Sequence, residues 1–102
     1  MKKYLLDTNI CVYFLKGLYN LDKKIEKAET ENCFVSEITI AELKFGTENS
    51  ENQARLRKKG LPLDDFDLLI GAPAISNNLT LVTRNISDFE RLKGIEIENW
   101  VD

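Results

Sequence analysis

The side chains best placed for chemistry in this sequence are carboxylates that follow short apolar runs. Tyr4-Leu5-Leu6 leads into Asp7, Cys33-Phe34-Val35 is followed by Glu42, and Leu79-Thr80-Leu81-Val82-Thr83 is followed by Asp88. Asp67 stands at the start of the apolar stretch Leu68-Leu69-Ile70. If the runs are strands of a parallel sheet, every strand-to-helix turn lies at the carboxyl edge, where such folds place their sites. Four acids from distant segments then meet on one rim, and their repulsion falls when a divalent cation neutralises them. The chain has 102 residues and no His, which removes Ser-His-Asp and Cys-His catalysis and imidazole metal ligands. Oxygen-only ligands favour Mg²⁺ or Mn²⁺ over zinc or copper. Such a centre suits phosphodiester hydrolysis and needs no protein nucleophile.

Each acid also has a structural role open to it. Thr39-x-x-Glu42 and Ser87-x-x-Glu90 have capping-box spacing, which puts Glu42 in a first helical turn and Asp88 at a first helical position. Asp64 and Asp67 suit the positive end of a helix dipole, and Asp7 can cap the helix behind it. Cys11 and Cys33 both sit in apolar runs, which predicts buried thiols rather than a bridge or a nucleophile.

The elements that must position these acids follow from pattern. Strands are predicted at Tyr4–Leu6, Cys33–Val35 and Leu79–Thr83, and the strict alternation of Ile95-Glu96-Ile97-Glu98 predicts a half-exposed edge strand. Helices are predicted from Ile10 to Leu15, within Leu18–Glu31, from Ile40 to Phe45, from Asp64 to Asn78 and from Ser87 to Leu92. Gly17, Gly46 and Gly94 stand at helix ends. Strands alternating with helices predict one α/β domain with a mostly parallel sheet of four strands and right-handed crossovers. Pro73 lies inside its helix, where it removes a backbone hydrogen bond and should bend it.

Composition excludes other classes. A net charge of −3 argues against a uniformly basic nucleic-acid binder. Arg55, Arg57, Lys58 and Lys59 form the dense cationic cluster, either a solvated helix end or a contact for RNA phosphates. Arg84, beside the acidic rim, is the better candidate for touching substrate. No apolar run reaches membrane-spanning length, and the start of the chain is too short for a signal-peptide core, so a cytoplasmic setting is expected.

Four stretches carry a family resemblance. They are Leu5-Leu6-Asp7-Thr8-Asn9-Ile10, Ser36-Glu37-Ile38-Thr39-Ile40-Ala41-Glu42-Leu43-Lys44-Phe45-Gly46, Asp67-Leu68-Leu69-Ile70-Gly71-Ala72 and Leu81-Val82-Thr83-Arg84-Asn85-Ile86-Ser87-Asp88-Phe89. In order and spacing the chain resembles the PIN domain, most closely the VapC-type toxins. The resemblance implies a three-layer PIN-like fold and a Mg²⁺- or Mn²⁺-dependent ribonuclease acting on RNA. It places Asp7, Glu42 and Asp67 at metal-site positions. Members of the family carry the fourth acid either where Asn85 stands here or where Asp88 stands, and Asp88 is the acid favoured, with Asn85 as its neutral partner. Thr8, Asn9 and Ser36 match polar residues that support the site. An antitoxin whose tail covers the acidic pocket, and a homodimer, are implied partners. Between Gly46 and Leu61 the chain is shorter than its family pattern, as though a strand and much helix were deleted around residues 47–60. A rival reading follows, a PIN-like module that keeps its fold and its binding of antitoxin or RNA but has lost cleavage. A receiver-like domain with Asp7 as phosphoacceptor fits poorly, because Lys2 and Lys3 do not supply the later lysine it requires.

Overall fold

The structure is a computed structural model that describes residues 2–45 and 64–101. Strand β1 (Tyr4–Leu6) leads into helix α1 (Thr8–Leu15), then α2 (Leu21–Ala28) and a 3₁₀ turn (Thr30–Asn32). Strand β2 (Cys33–Val35) is followed by α3 (Glu37–Phe45), and the described chain resumes with α4 (Asp64–Ser76). Strand β3 (Thr80–Val82), the short helix α5 (Ile86–Phe89) and strand β4 (Glu96–Glu98) complete it. The proposed deletion around residues 47–60 and the cluster Arg55, Arg57, Lys58 and Lys59 lie outside the described residues.

The four strands form one all-parallel sheet in the order β2-β1-β3-β4. The chain moves outward from β1 to β2, then crosses back to β3 on the other side. The β1/β3 boundary is thus the topological switch point, where open parallel sheets form their crevice. Side chains alternate across the sheet. Leu6 and Val82 point to one face and pack with Ile10, Cys11, Leu21, Ile25 and Val101. Leu5 and Leu81, paired in register, point to the other and pack with Ile70, Ala74 and Phe89. Helices therefore cover both faces, the three-layer arrangement expected of this pattern.

Local chemistry explains several element ends. Helix α1 closes with a Schellman motif: Gly17 N–H donates to the Phe14 carbonyl at 3.0 Å and Leu18 N–H to Tyr13 at 2.9 Å, with Gly17 at φ +72°. Helix α4 ends the same way on Asn78 at φ +55°, where Asn78 N–H donates to Ile75 and Leu79 N–H to Ala74. Pro73 does not terminate α4, which continues to Ser76, and the Pro73 carbonyl accepts from both the backbone and side-chain N–H of Asn77. Two capping expectations are corrected. Ser36 caps α3, its Oγ accepting the Thr39 N–H at 3.1 Å, so Thr39 is a helical residue and Glu42 falls in the second turn. Helix α5 is capped at Asn85 and ends at Phe89, which leaves Glu90 at its C-cap, unable to close a box with Ser87, and makes Asp88 its third residue. In both cases the helix begins one residue or more before the matched spacing assumes. Cys11 is a buried free thiol as expected, whereas Cys33, also free, is only half-buried because β2 is an edge strand. Among the described residues no helix is long and apolar enough to cross a membrane.

Candidate active site

Asp7 follows the last residue of β1 and is buried at 7% exposure. Its backbone is extended (φ −66°, ψ 158°), and its N–H donates to Val82 of β3 while its carbonyl accepts the first α1 bond from Cys11. The carboxylate is held at both oxygens. Oδ1 accepts the Thr8 N–H at 2.8 Å, and Oδ2 accepts the Thr83 hydroxyl at 2.8 Å. Thr83 is fully buried and in turn accepts the Asn85 N–H at 3.1 Å. Asp7 is thus the N-cap of α1 with its second oxygen tied to the chain after β3.

Thr8 joins Asp7 to Glu42, and a chain of hydroxyls runs through it to Glu42. Thr8 donates its hydroxyl to Glu42 Oε1 at 2.9 Å and lies 2.9 Å from the Thr39 hydroxyl. Each hydroxyl has one proton. Since Thr8 gives its proton to Glu42, Thr39 must be the donor to Thr8, and Ser36 donates to Thr39 at 3.1 Å. The proton order is Ser36 to Thr39 to Thr8 to Glu42, each dipole pointing toward the carboxylate. Thr8 therefore holds Asp7 with its N–H and Glu42 with its hydroxyl. Burial pushes the Glu42 carboxyl above its ordinary value; the Thr8 hydrogen bond opposes this, and the charge of Asp7 adds to it. Burial, with a contribution from Asp7, also pushes the Cys11 thiol up to about 11.

The other expected site residues are distributed more widely. Asn9 is exposed on α1, and Asn85 caps α5 through its backbone rather than its side chain. Asp88 is exposed on α5. Asp67 lies in α4, but its side chain is outside the described set. Among the described residues no three acidic, Cys or His side chains converge as a metal-holding group. Asp7 and Glu42 form a pair. Arg84 projects from the loop after β3, and its Nη1 donates to the Tyr13 hydroxyl of α1 at 3.2 Å. Thr83, Thr39 and Tyr13 were not expected at the site. A buried Thr at a strand end is indistinguishable in sequence from an ordinary β-former.

The donor chemistry fits a hard cation. Two neighbouring carboxylates, one buried and one with proton affinity raised partly by the other, sit among hydroxyls.

No protein-family model matches the chain. Curated relatives do. Ribonuclease VapC2 of Rickettsia felis is 33% identical over 132 aligned positions, covering 95% of this chain and 97% of the relative. The tRNA(fMet)-specific endonuclease VapC of Salmonella typhimurium is 29% identical, covering 98% of this chain and 99% of the relative. An alignment of 132 positions against a chain of 102 leaves at least 30 positions of the Rickettsia protein without a counterpart. Among solved structures, DNA-bound VapBC from Salmonella typhimurium matches with a TM-score of 0.72 at 28% identity, covering 98% of this chain and 99% of that one. VapBC2 from Rickettsia felis bound to a promoter DNA fragment matches with a TM-score of 0.68 at 30% identity, covering 95% and 98%. Near-complete coverage in sequence and in structure, together with Asp7 and Glu42 joined at the switch point of a parallel sheet, makes this chain a member of the VapC ribonuclease family with a PIN-type fold.

Proposed function

We propose that the protein is a Mg²⁺- or Mn²⁺-dependent endoribonuclease of the VapC toxin class that hydrolyses RNA phosphodiester bonds in the cytoplasm. The observation that carries this reading is the buried Asp7 bridged to Glu42 through Thr8 at the β1/β3 crevice. In it Asp7, Glu42, Asp67 and Asp88 would hold the cation, which would supply Lewis acidity to the phosphate and to the attacking water. The chain's own part is orientation. Thr8 and Thr83 grip one Asp7 oxygen each, which prevents the carboxylate from turning. The hydroxyl chain from Ser36 holds Glu42 by one oxygen, Oε1.

By likeness to the VapBC complexes, an antitoxin partner belongs to the same reading; the acidic pocket would favour a cationic residue of its tail, and a homodimer is part of the proposal. The decisive experiment is cleavage of a mixed RNA pool, transfer RNA included, by the unaltered chain and by Asp7→Asn, with and without Mn²⁺. Asp7→Asn, which keeps the cap, is expected to lose cleavage and metal-dependent thermal stabilisation together. Cleavage that survives the substitution would sink the reading.

A second reading is favoured by the 30 or more positions without counterpart, which we place around residues 47–60. The chain then keeps its fold and its antitoxin surface but positions RNA too poorly to cut it. Tight antitoxin binding with no cleavage in Mn²⁺ is the outcome expected of that alternative.

A further inference from the structure

The turn between α1 and α2 holds an unusual backbone. After the Schellman motif at Gly17, Tyr19 and Asn20 adopt left-handed φ of 60° and 54°. Asn tolerates this region, but a bulky aromatic there is a genuine outlier, and such strain gathers at functional sites. Its consequence here is visible. The Tyr19 ring meets the Tyr13 ring edge-on, centroids 5.2 Å apart at 69°, while 40% of Tyr19 stays exposed. Arg84 engages the same Tyr13. Its Nη1 donates to the Tyr13 hydroxyl at 3.2 Å, and its guanidinium carbon lies 6.0 Å from the ring centroid. Arg84 directly follows Thr83, which grips Asp7. A strained aromatic, a second ring and a guanidinium thus form one cluster, linked to Asp7 through Thr83, the residue before Arg84.

We propose that this cluster is the platform for a single-stranded RNA substrate. Arg84 contacts a phosphate, Tyr19 stacks on an unpaired base, and Tyr13 is the positioning residue that sets both. The inference rests on the ribonuclease reading and adds how the strand is held. A planar guanidinium fork matches phosphate geometry, and the Tyr13 bond fixes its plane. Aromatic faces take any unpaired base, which suits binding without visible base readout. The net charge of −3 makes a local cation on the rim the means by which the polyanion is brought toward the acids.

The test is binding of a fluorescein-labelled single-stranded RNA of mixed sequence to full-length chain carrying Asp7→Asn, titrated across KCl concentrations, alongside steady-state cleavage by chain with Asp7 intact. Adding Arg84→Gln should weaken binding and reduce the slope of log K against log salt by about 0.7, one phosphate contact on a single strand. Tyr19→Ala should weaken binding about tenfold with the slope unchanged, Tyr19→Phe should restore it, and duplex RNA should show no Tyr19 effect. In cleavage, Tyr13→Phe should raise KM and leave kcat within about twofold. The inference is overturned if Arg84→Gln leaves the salt slope unchanged and Tyr19→Ala binds within twofold while Asp7-dependent cleavage persists. Binding with these signatures but no cleavage overturns the ribonuclease reading and leaves the platform standing. Absence of RNA binding removes both.

Discussion

Thr8 shows how one small side chain couples two acids. Its N–H serves Asp7 and its hydroxyl serves Glu42, while the fully buried Thr39 gives its own proton to the same oxygen. Replacing that hydroxyl with a methyl leaves Thr39 without an acceptor and Glu42 without a donor. Thr8→Val should therefore cost about 1–3 kcal/mol in urea unfolding with chelator present, and Thr8→Ser much less. Cys11 offers a second check on the same pocket. With its thiol pushed up to about 11, little thiolate exists at pH 8. Alkylation of the native protein by iodoacetamide at that pH, followed by mass spectrometry, should modify Cys33 well before Cys11. At this scale Asp7 was legible in sequence, because an apolar run that ends in an Asx cap marks a strand-to-helix turn. Thr83 and Tyr13 were not, because their roles depend on partners 76 and 71 residues away in sequence.

At the scale of elements, three-residue strands leave little room for error, and the turns between elements determine where the site residues arrive. The end of α1 is one such turn. Gly17 sits at φ +72°, and a Cβ built there meets nothing within 4 Å. Any penalty of Gly17→Ala is then conformational rather than steric, about 1–2 kcal/mol for a left-handed L-residue. Thermal unfolding should show that loss. The four strands, a mostly parallel sheet and the helix end at Gly17 were legible from apolar runs and punctuation, whereas the strand order was not, and the helix expected to stop at Gly94 already ends at Phe89. Helix starts were less legible. Thr39-x-x-Glu42 matched a capping box, but Ser36 lies three residues nearer the strand and takes the cap first. A local pattern does not say which of two hydroxyls the preceding strand delivers to the helix. Nor did the amphipathic pattern of Leu18–Glu31 reveal that the first three residues are used in the left-handed turn before α2 begins at Leu21.

For the whole molecule, two carboxylates tie stability to pH with opposite signs. Glu42 is raised in the folded state by burial and by Asp7, so the folded form binds its proton more tightly than the unfolded form. Its contribution is fully present below the unfolded value near 4.5 and is lost as pH rises through the folded value. Glu98, which accepts hydrogen bonds from Lys2 and from Trp100 Nε1, is lowered. Its contribution is present above about 4.5 and is lost as pH falls through its folded value. Glu98 and Lys2 are largely solvated, so that acid-side effect is small. Urea midpoints measured in chelator from pH 3 to 8 should therefore decline on the neutral side, and Glu42→Gln should flatten that decline. Glu98→Gln should flatten only the acid limb. Adding Mg²⁺ tests what the acid pair is for. If the repulsion between Asp7 and Glu42 is what a cation relieves, Mg²⁺ should stabilise the chain more at pH 7 than at pH 4. Binding at a hundredfold excess over Kd corresponds to about 2.7 kcal/mol. Glu42→Gln should lose most of that gain while keeping its higher metal-free midpoint at pH 7. A variant that kept both would show that the two carboxylates repel without sharing an ion, and the cation would have to be sought elsewhere in the fold.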